Sequence, residues 1–179
     1  LIERGEVVRE DIAGVTACYP AGLYGAESYV AMRLGEMCRT EIVPPSGLDR
    51  LIDAIQREQG ITYARQQRTA VELCASRQVM LLTGGPGTGK TTSLRGVLAL
   101  FETLGLETAL AAPTGRAAKR MGETCGAEAL TIHRLLETQM DPYTGQLAFT
   151  KNQDDPLEVD AVIVDETSMV DVSLMAALL

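Results

Sequence analysis

The sequence contains no C-x-x-C pair. Cys18, Cys38, Cys74 and Cys125 are widely spread, so neither zinc-ligand spacing nor a disulfide framework is suggested, and buried free thiols are expected. It has no basic surplus either: 16 basic residues stand against 24 acidic ones, a formal net charge of -8. General adhesion to polyphosphate cannot arise from that balance, and any nucleic-acid contact must be local. Long apolar runs are missing too. The longest, such as VLALF and LMAALL, fall far short of the roughly 18 residues a membrane helix needs. No basic segment followed by an apolar core opens the chain. These absences lead to the expectation of a soluble, cytoplasmic protein without membrane association. No internal repeat and no low-complexity tract is present.

What is there suits a globular fold. At 179 residues, 46% apolar and 22% charged, the chain can bury on the order of 70% of its unfolded surface. It begins with Leu1 and stops at Leu179 within an apolar run, which suggests an excised fragment. Residues 1–59 read as a small, mostly helical region. GEVVRE and GVTACYP predict a hairpin turning at DIAG. Leu23, Glu27, Val30, Leu34 and Cys38 follow helical spacing, and residues 48–58 repeat Leu51, Ile52 and Ile55 on one face. Such a region suits a scaffold or a DNA-binding accessory, and its few basic residues favour the scaffold. Gly60 marks the expected boundary.

From residue 60 to 179 the pattern becomes α/β. Helices are predicted over 63–76, 91–104 and from Arg116, with a further one over 132–137. Apolar strands are predicted at VMLLT (79–83), ETALAAP (107–113) and AVIVD (161–165), and a hairpin around 141–152. Apolar strands with little alternation imply a parallel sheet covered on both faces. Ligands bind beyond the carboxyl ends of such strands.

GGPGTGKTT, residues 84–92, stands between a predicted strand and a predicted helix. Gly84, Gly89, Lys90 and Thr91 satisfy the G-x-x-x-x-G-K-[ST] phosphate loop. Gly84, Gly85, Pro86, Gly87, Thr88 and Gly89 form the nucleotide-binding loop, whose glycines let backbone amides turn toward phosphate oxygens, and Thr92 continues into the helix. Lys90 reaches the outer phosphates, and the Thr91 hydroxyl is a magnesium ligand. VIVDETSMVD adds Asp165 and Glu166 behind an apolar strand, where an acidic pair can hold magnesium (Asp165) and orient or deprotonate water (Glu166). An Asp-Glu pair alone also serves to solvate a strand end or cap a helix. The expected cofactors are therefore ATP and Mg, with Lys90 and Glu166 as the catalytic pair. Lys90, Thr91, Asp165 and Glu166 are expected on one sheet edge.

AAPTGRAAKRM reverses the sign of the chain locally, since residues 113–122 carry three basic and no acidic side chains. Thr114, Gly115 and Arg116 at a helix start suit the phosphates of a nucleic-acid strand. Read alone, the segment is equally a solvated basic face.

Taken in order, GGPGTGKTT, APTGRAAKRM, TIHRLL and VIVDETSMVD resemble the first motor domain of RecD-like helicases of superfamily one, the family of the exodeoxyribonuclease V alpha subunit. The likeness covers residues 63–179, and the first sixty resemble the preceding accessory region through weaker motifs. The resemblance implies a P-loop NTPase of RecA-like fold in an ATP-dependent DNA helicase, moving 5′ to 3′ on single-stranded DNA as partner, in some members within a nuclease–helicase complex. It implies that Gln67 reads adenine, with neighbouring Gln66 leaving the register open by one. It also implies that Thr114, Gly115 and Arg116, with Thr131 and His133, contact the DNA strand. Thr167 stands where the family often carries alanine. The family's second motor domain, with its arginine for the ATP site, does not follow Leu179, so this chain is expected to bind nucleotide without unwinding. An AAA-type ATPase, whose phosphate loop is similar, and a nucleotide-binding module without turnover are the alternatives. PTGRAAKR and TIHRLL argue against the first.

Overall fold

In the computed structural model, which describes residues 1–85, 87–140 and 147–179, the expected hairpin pairs β1 (Val7–Ile12) with β2 (Val15–Pro20). Ile12 lies opposite Val15, leaving Ala13 and Gly14 to turn the chain at φ 52° and 82°. Two-residue turns with both φ positive match the twist of paired strands. The Gly14 N–H donates to Asp11 Oδ1 at 2.9 Å, which fastens the turn. Helix α1 (Ala21–Arg39) follows but buries none of its residues fully. The shallow packing of this region explains a difference from expectation: Cys18 and Cys38 are exposed, and only Cys74 and Cys125 are partly covered.

Helix α2 (Leu48–Gln59) is bounded by Gly47 and Gly60, both left-handed, and turns Ile52 and Ile55 inward. There they meet Val71 of α3 (Arg65–Cys74) and Val97, Leu100 and Phe101 of α4 (Lys90–Thr103) in one core. A helix on the N-terminal side of residue 60 thus shares its core with the two helices that follow. Ile52 is 0% exposed, so Ile52→Ala should lower stability by about 2–5 kcal/mol. Urea unfolding measures this, and a loss under about 1 kcal/mol would contradict the shared core.

The sheet is parallel and ordered β4-β3-β7. β3 (Thr108–Ala112) leads through α5 (Gly115–Cys125) to β4 (Ala129–Thr131), and short α6 (Ile132–Leu135) follows directly. β5 (Thr138–Met140) and β6 (Leu147–Phe149) pair antiparallel. They flank the expected hairpin, whose residues 141–146 lie outside the described residues, as does Pro86. β7 (Ala161–Val164) then lies along β3, and α7 (Val172–Leu178) packs beside α1. Asp160 Oδ2 accepts the Glu107 N–H at 2.8 Å, aligning the entries to β3 and β7. The alanines of β3 let α5 approach closely, so Ala112, Ala117 and Ala118 form a small core of their own. On the other side Ala111 packs with Ile132, Leu136 and Leu174.

One expected strand is missing. Residues 79–83 form no ladder, and Leu81 is 77% exposed. A strand exists only where a neighbour takes its backbone N–H and C=O groups. Among the described residues β7 pairs only with β3, and nothing pairs with 79–83. Among the described residues, no helix is long and apolar enough to cross a membrane.

Candidate active site

The phosphate loop takes its shape from glycine. Gly87 and Gly89 have φ of 74° and 83°, the left-handed region that other residues enter at a cost. A Cβ on Gly84 would lie 2.6 Å from Thr88 Oγ1, and one on Gly89 would overlap the Gln67 amide. Thr88 Oγ1 donates to the Gly85 carbonyl at 2.8 Å. Lys90 folds beneath the loop, and its ammonium donates to the carbonyl oxygens of Gly84 and Gly85. Ser93, 3% exposed, donates from Oγ to the Gly89 carbonyl at 3.4 Å and steadies the first turn of α4. Sequence reading missed Ser93 because the motif ends before it. A 14-residue helix begins at Lys90 directly behind the loop, and the N–H groups of a helix's first turn are a natural anion-binding arrangement.

Gln67 reaches this loop from α3. Its Oε1 accepts the Ala64 N–H at 2.8 Å, and its Nε2 donates to the Gly89 carbonyl at 3.4 Å. Gln66 is exposed, and among the described residues Gln67 is the one of the two candidates that bonds to the loop.

The other candidates gather at the carboxyl edge of the sheet. Ala111 lies opposite both Leu130 and Val164, so the three strands end nearly level. Thr114 caps α5 with Oγ1, accepting the Ala117 N–H at 3.2 Å. Thr131 caps α6 in the same way, accepting the Arg134 N–H at 3.2 Å. Each hydroxyl accepts from a helix and so keeps its own proton for an outside acceptor such as a phosphate oxygen. Gly115 and Arg116 are exposed, as are Lys119, Arg120 and His133. Lys119 leans only loosely on Glu123, at 3.9 Å. The His133 ring sits 6.0 Å from that of Phe149, tilted by 48°.

Asp165 and Glu166 follow β7 on the same edge. The Asp165 N–H donates to the Ala111 carbonyl at 3.0 Å, extending the ladder by one bond. Asp165 Oδ1 accepts the Glu166 N–H at 2.8 Å. Glu166 is left-handed, with φ 53° and ψ 41°. Such a conformation in a non-glycine residue costs about 1 kcal/mol or more and is common at functional sites. Both carboxylates are exposed.

Contrary to expectation, the loop does not extend from a strand of the sheet. Among the described residues, no hydrogen bond or ion pair joins Lys90 or Thr91 to Asp165 or Glu166. The physical reason is the unpaired 79–83 segment, which leaves α4 placed by its core rather than by a ladder. Among the described residues, no group of three or more His, Cys, Asp or Glu could hold a metal. One hydroxyl and one carboxylate are nevertheless the hard oxygen donors that suit magnesium, which keeps several waters and shares substrate phosphates. Cysteine chemistry has no support here. Burial pushes the Cys74 thiol up to about 11, and burial followed by the charge of Asp165 raises Cys125.

A family model described as an AAA domain matches residues 67–179. The chain is 38% identical over 149 residues to the ATP-dependent RecD2 DNA helicase of Deinococcus radiodurans, covering 82% of this chain and 20% of that protein. It is 39% identical over 137 residues to the RecBCD enzyme subunit RecD of Mycolicibacterium smegmatis, covering 64% of this chain and 24% of the subunit. Against the RecD subunit of Haemophilus influenzae identity is 33% over 138 residues, covering 63% and 21%. The chain therefore spans roughly a fifth to a quarter of the length of these relatives.

Proposed function

The chain belongs to the AAA domain family, and from that membership we propose that it is the nucleotide-binding part of an ATP-dependent DNA helicase. The observation that carries the reading is the phosphate loop, with the Lys90 ammonium already drawn onto the carbonyls of Gly84 and Gly85. Phosphate oxygens offer that ammonium stronger, charge-assisted bonds than neutral carbonyls do. Residues 84–92 cradle the triphosphate, Gln67 reads adenine, and Thr91 with Asp165 holds magnesium, which neutralises charge developing on the phosphates. Glu166 orients the attacking water and takes its proton. Within that family, the basic α5 segment and the similarity to RecD and RecD2 proteins favour a DNA helicase over an ATPase that does not act on DNA.

Thr114, Gly115, Arg116, Thr131 and His133 form the DNA-contacting edge. By family resemblance the parent moves 5′ to 3′ on single-stranded DNA, alone or beside nuclease–helicase subunits. Residues 60–179 act as the motor portion and 1–59 as an accessory, with α2 serving both through its shared core. The chain alone binds nucleotide and does not unwind duplexes.

Arg116→Ala should weaken single-stranded DNA binding for all sequences alike and lower the salt slope by about 0.7. Oligonucleotide titrations across a salt series measure this. An unaltered slope would make the α5 face merely solvated. The same titrations with and without MgATP separate a motor, in which the two ligands are coupled, from an inert nucleotide-binding module.

A further inference from the structure

Gln67 sits beside the most heavily bonded side chain among the described residues. Arg68 spreads its guanidinium over three carboxylates. Nη1 pairs with Asp53 at 2.6 Å, Nη2 with Asp49 at 2.9 Å, and Nε with Glu72 at 2.9 Å. Asp49 and Asp53 stand four residues apart on α2, hence on one face, and Glu72 lies on α3 itself. Residues further along α2 continue the attachment. Gln56 Oε1 accepts the Tyr63 N–H at 2.7 Å, and Gln59 Oε1 accepts the Tyr63 hydroxyl at 3.0 Å. Tyr63 is 6% exposed and presses on α4, where a Cβ on Gly96 would lie 2.6 Å from its hydroxyl oxygen. Helix α2 thus grips the segment that begins α3 at Gln56, Gln59, Asp49 and Asp53, while Ile52 and Ile55 on the adjoining side of the same helix are sunk in the core.

Gln67 lies between the two ends of this grip, at Tyr63 and Arg68. Its rotation about the α3 axis decides whether its amide meets Gly89, since a helix turns by about 100° per residue. We propose that α2 is a brace for adenine recognition and that Arg68 is a positioning residue acting through Gln67. The proposal rests on the reading of Gln67 as the adenine-contacting residue. Isolated surface ion pairs contribute little. One planar fork held at three points instead fixes an orientation, which lysine, as a single point charge, would not.

The test measures binding of ATP, GTP and inorganic tripolyphosphate, each with magnesium, to the full chain by calorimetry. Wild type should prefer ATP over GTP, and Gln67→Ala should erase the preference. Arg68→Ala should narrow the ATP/GTP ratio by about fivefold while tripolyphosphate affinity stays within about twofold. In the Gln67→Ala background, Arg68→Ala should leave the ratio where it is. Asp49→Asn combined with Asp53→Asn approaches the same brace from α2, should narrow the ratio likewise, and guards against a folding defect peculiar to the Arg68 variant. A ratio that responds to Gln67→Ala but not to Arg68→Ala or the double Asn variant overturns the brace alone. A ratio that Gln67→Ala leaves unchanged overturns the Gln67 reading and the brace with it. Equal weakening of all three ligands by Arg68→Ala would reduce its role to general stability and also overturns the brace.

Discussion

Glu166→Gln, in a protein carrying this chain, is expected to bind ATP normally and to hydrolyse it about two to four orders of magnitude more slowly. The amide matches the carboxylate in size, so the left-handed turn at φ 53° and the bond from the Glu166 N–H to Asp165 Oδ1 remain. Only the ability to take a proton from water is lost. Asp165 is not expected to take over the proton, because Oδ1 already accepts that N–H and, in the proposed site, its carboxylate is given to magnesium. Single-turnover phosphate release with MgATP measures the effect. A rate within about threefold of wild type would take the general-base role away from Glu166 while leaving the nucleotide-binding reading untouched.

The parts of this account that were legible in the sequence are those whose causes are local. GGPGTGKTT announces its loop because Gly87 and Gly89 supply the left-handed backbone that the turn needs within a few residues, and DIAG announces its turn for the same reason. The apolar spacing of Ile52 and Ile55 marks an inward face, but nothing local says that its partners are Val71 and Leu100. Residues 79–83 have the composition of a buried strand, yet strand formation depends on neighbours, and here none pairs with them. The opposite error concerns β4, whose three residues are too few for any period to appear. Choosing between Gln66 and Gln67 needs the rotation of α3, which is set by contacts to α2. Arg68 passed unnoticed as one of 16 basic residues, because the carboxylates that define it, Asp49 and Asp53, lie on a different helix.

Residues 84–91 are proposed to bind the phosphates of ATP, and Lys90→Ala strikes at that binding. Lys90 is exposed and, among the described residues, its ammonium bonds only to loop carbonyls, so removing it should leave the cores around Leu100 and Ile132 intact. Hydrogen bonds to charged groups contribute about 1.5–3 kcal/mol each, and Lys90 is placed to give more than one of them to a triphosphate. Calorimetric titration of MgATP into wild type and Lys90→Ala, with matched urea midpoints to establish equal folding, is the decisive measurement. Saturable binding to wild type and at least about a hundredfold weaker binding to the variant are expected; superimposable titration curves for the two would contradict phosphate binding at this loop.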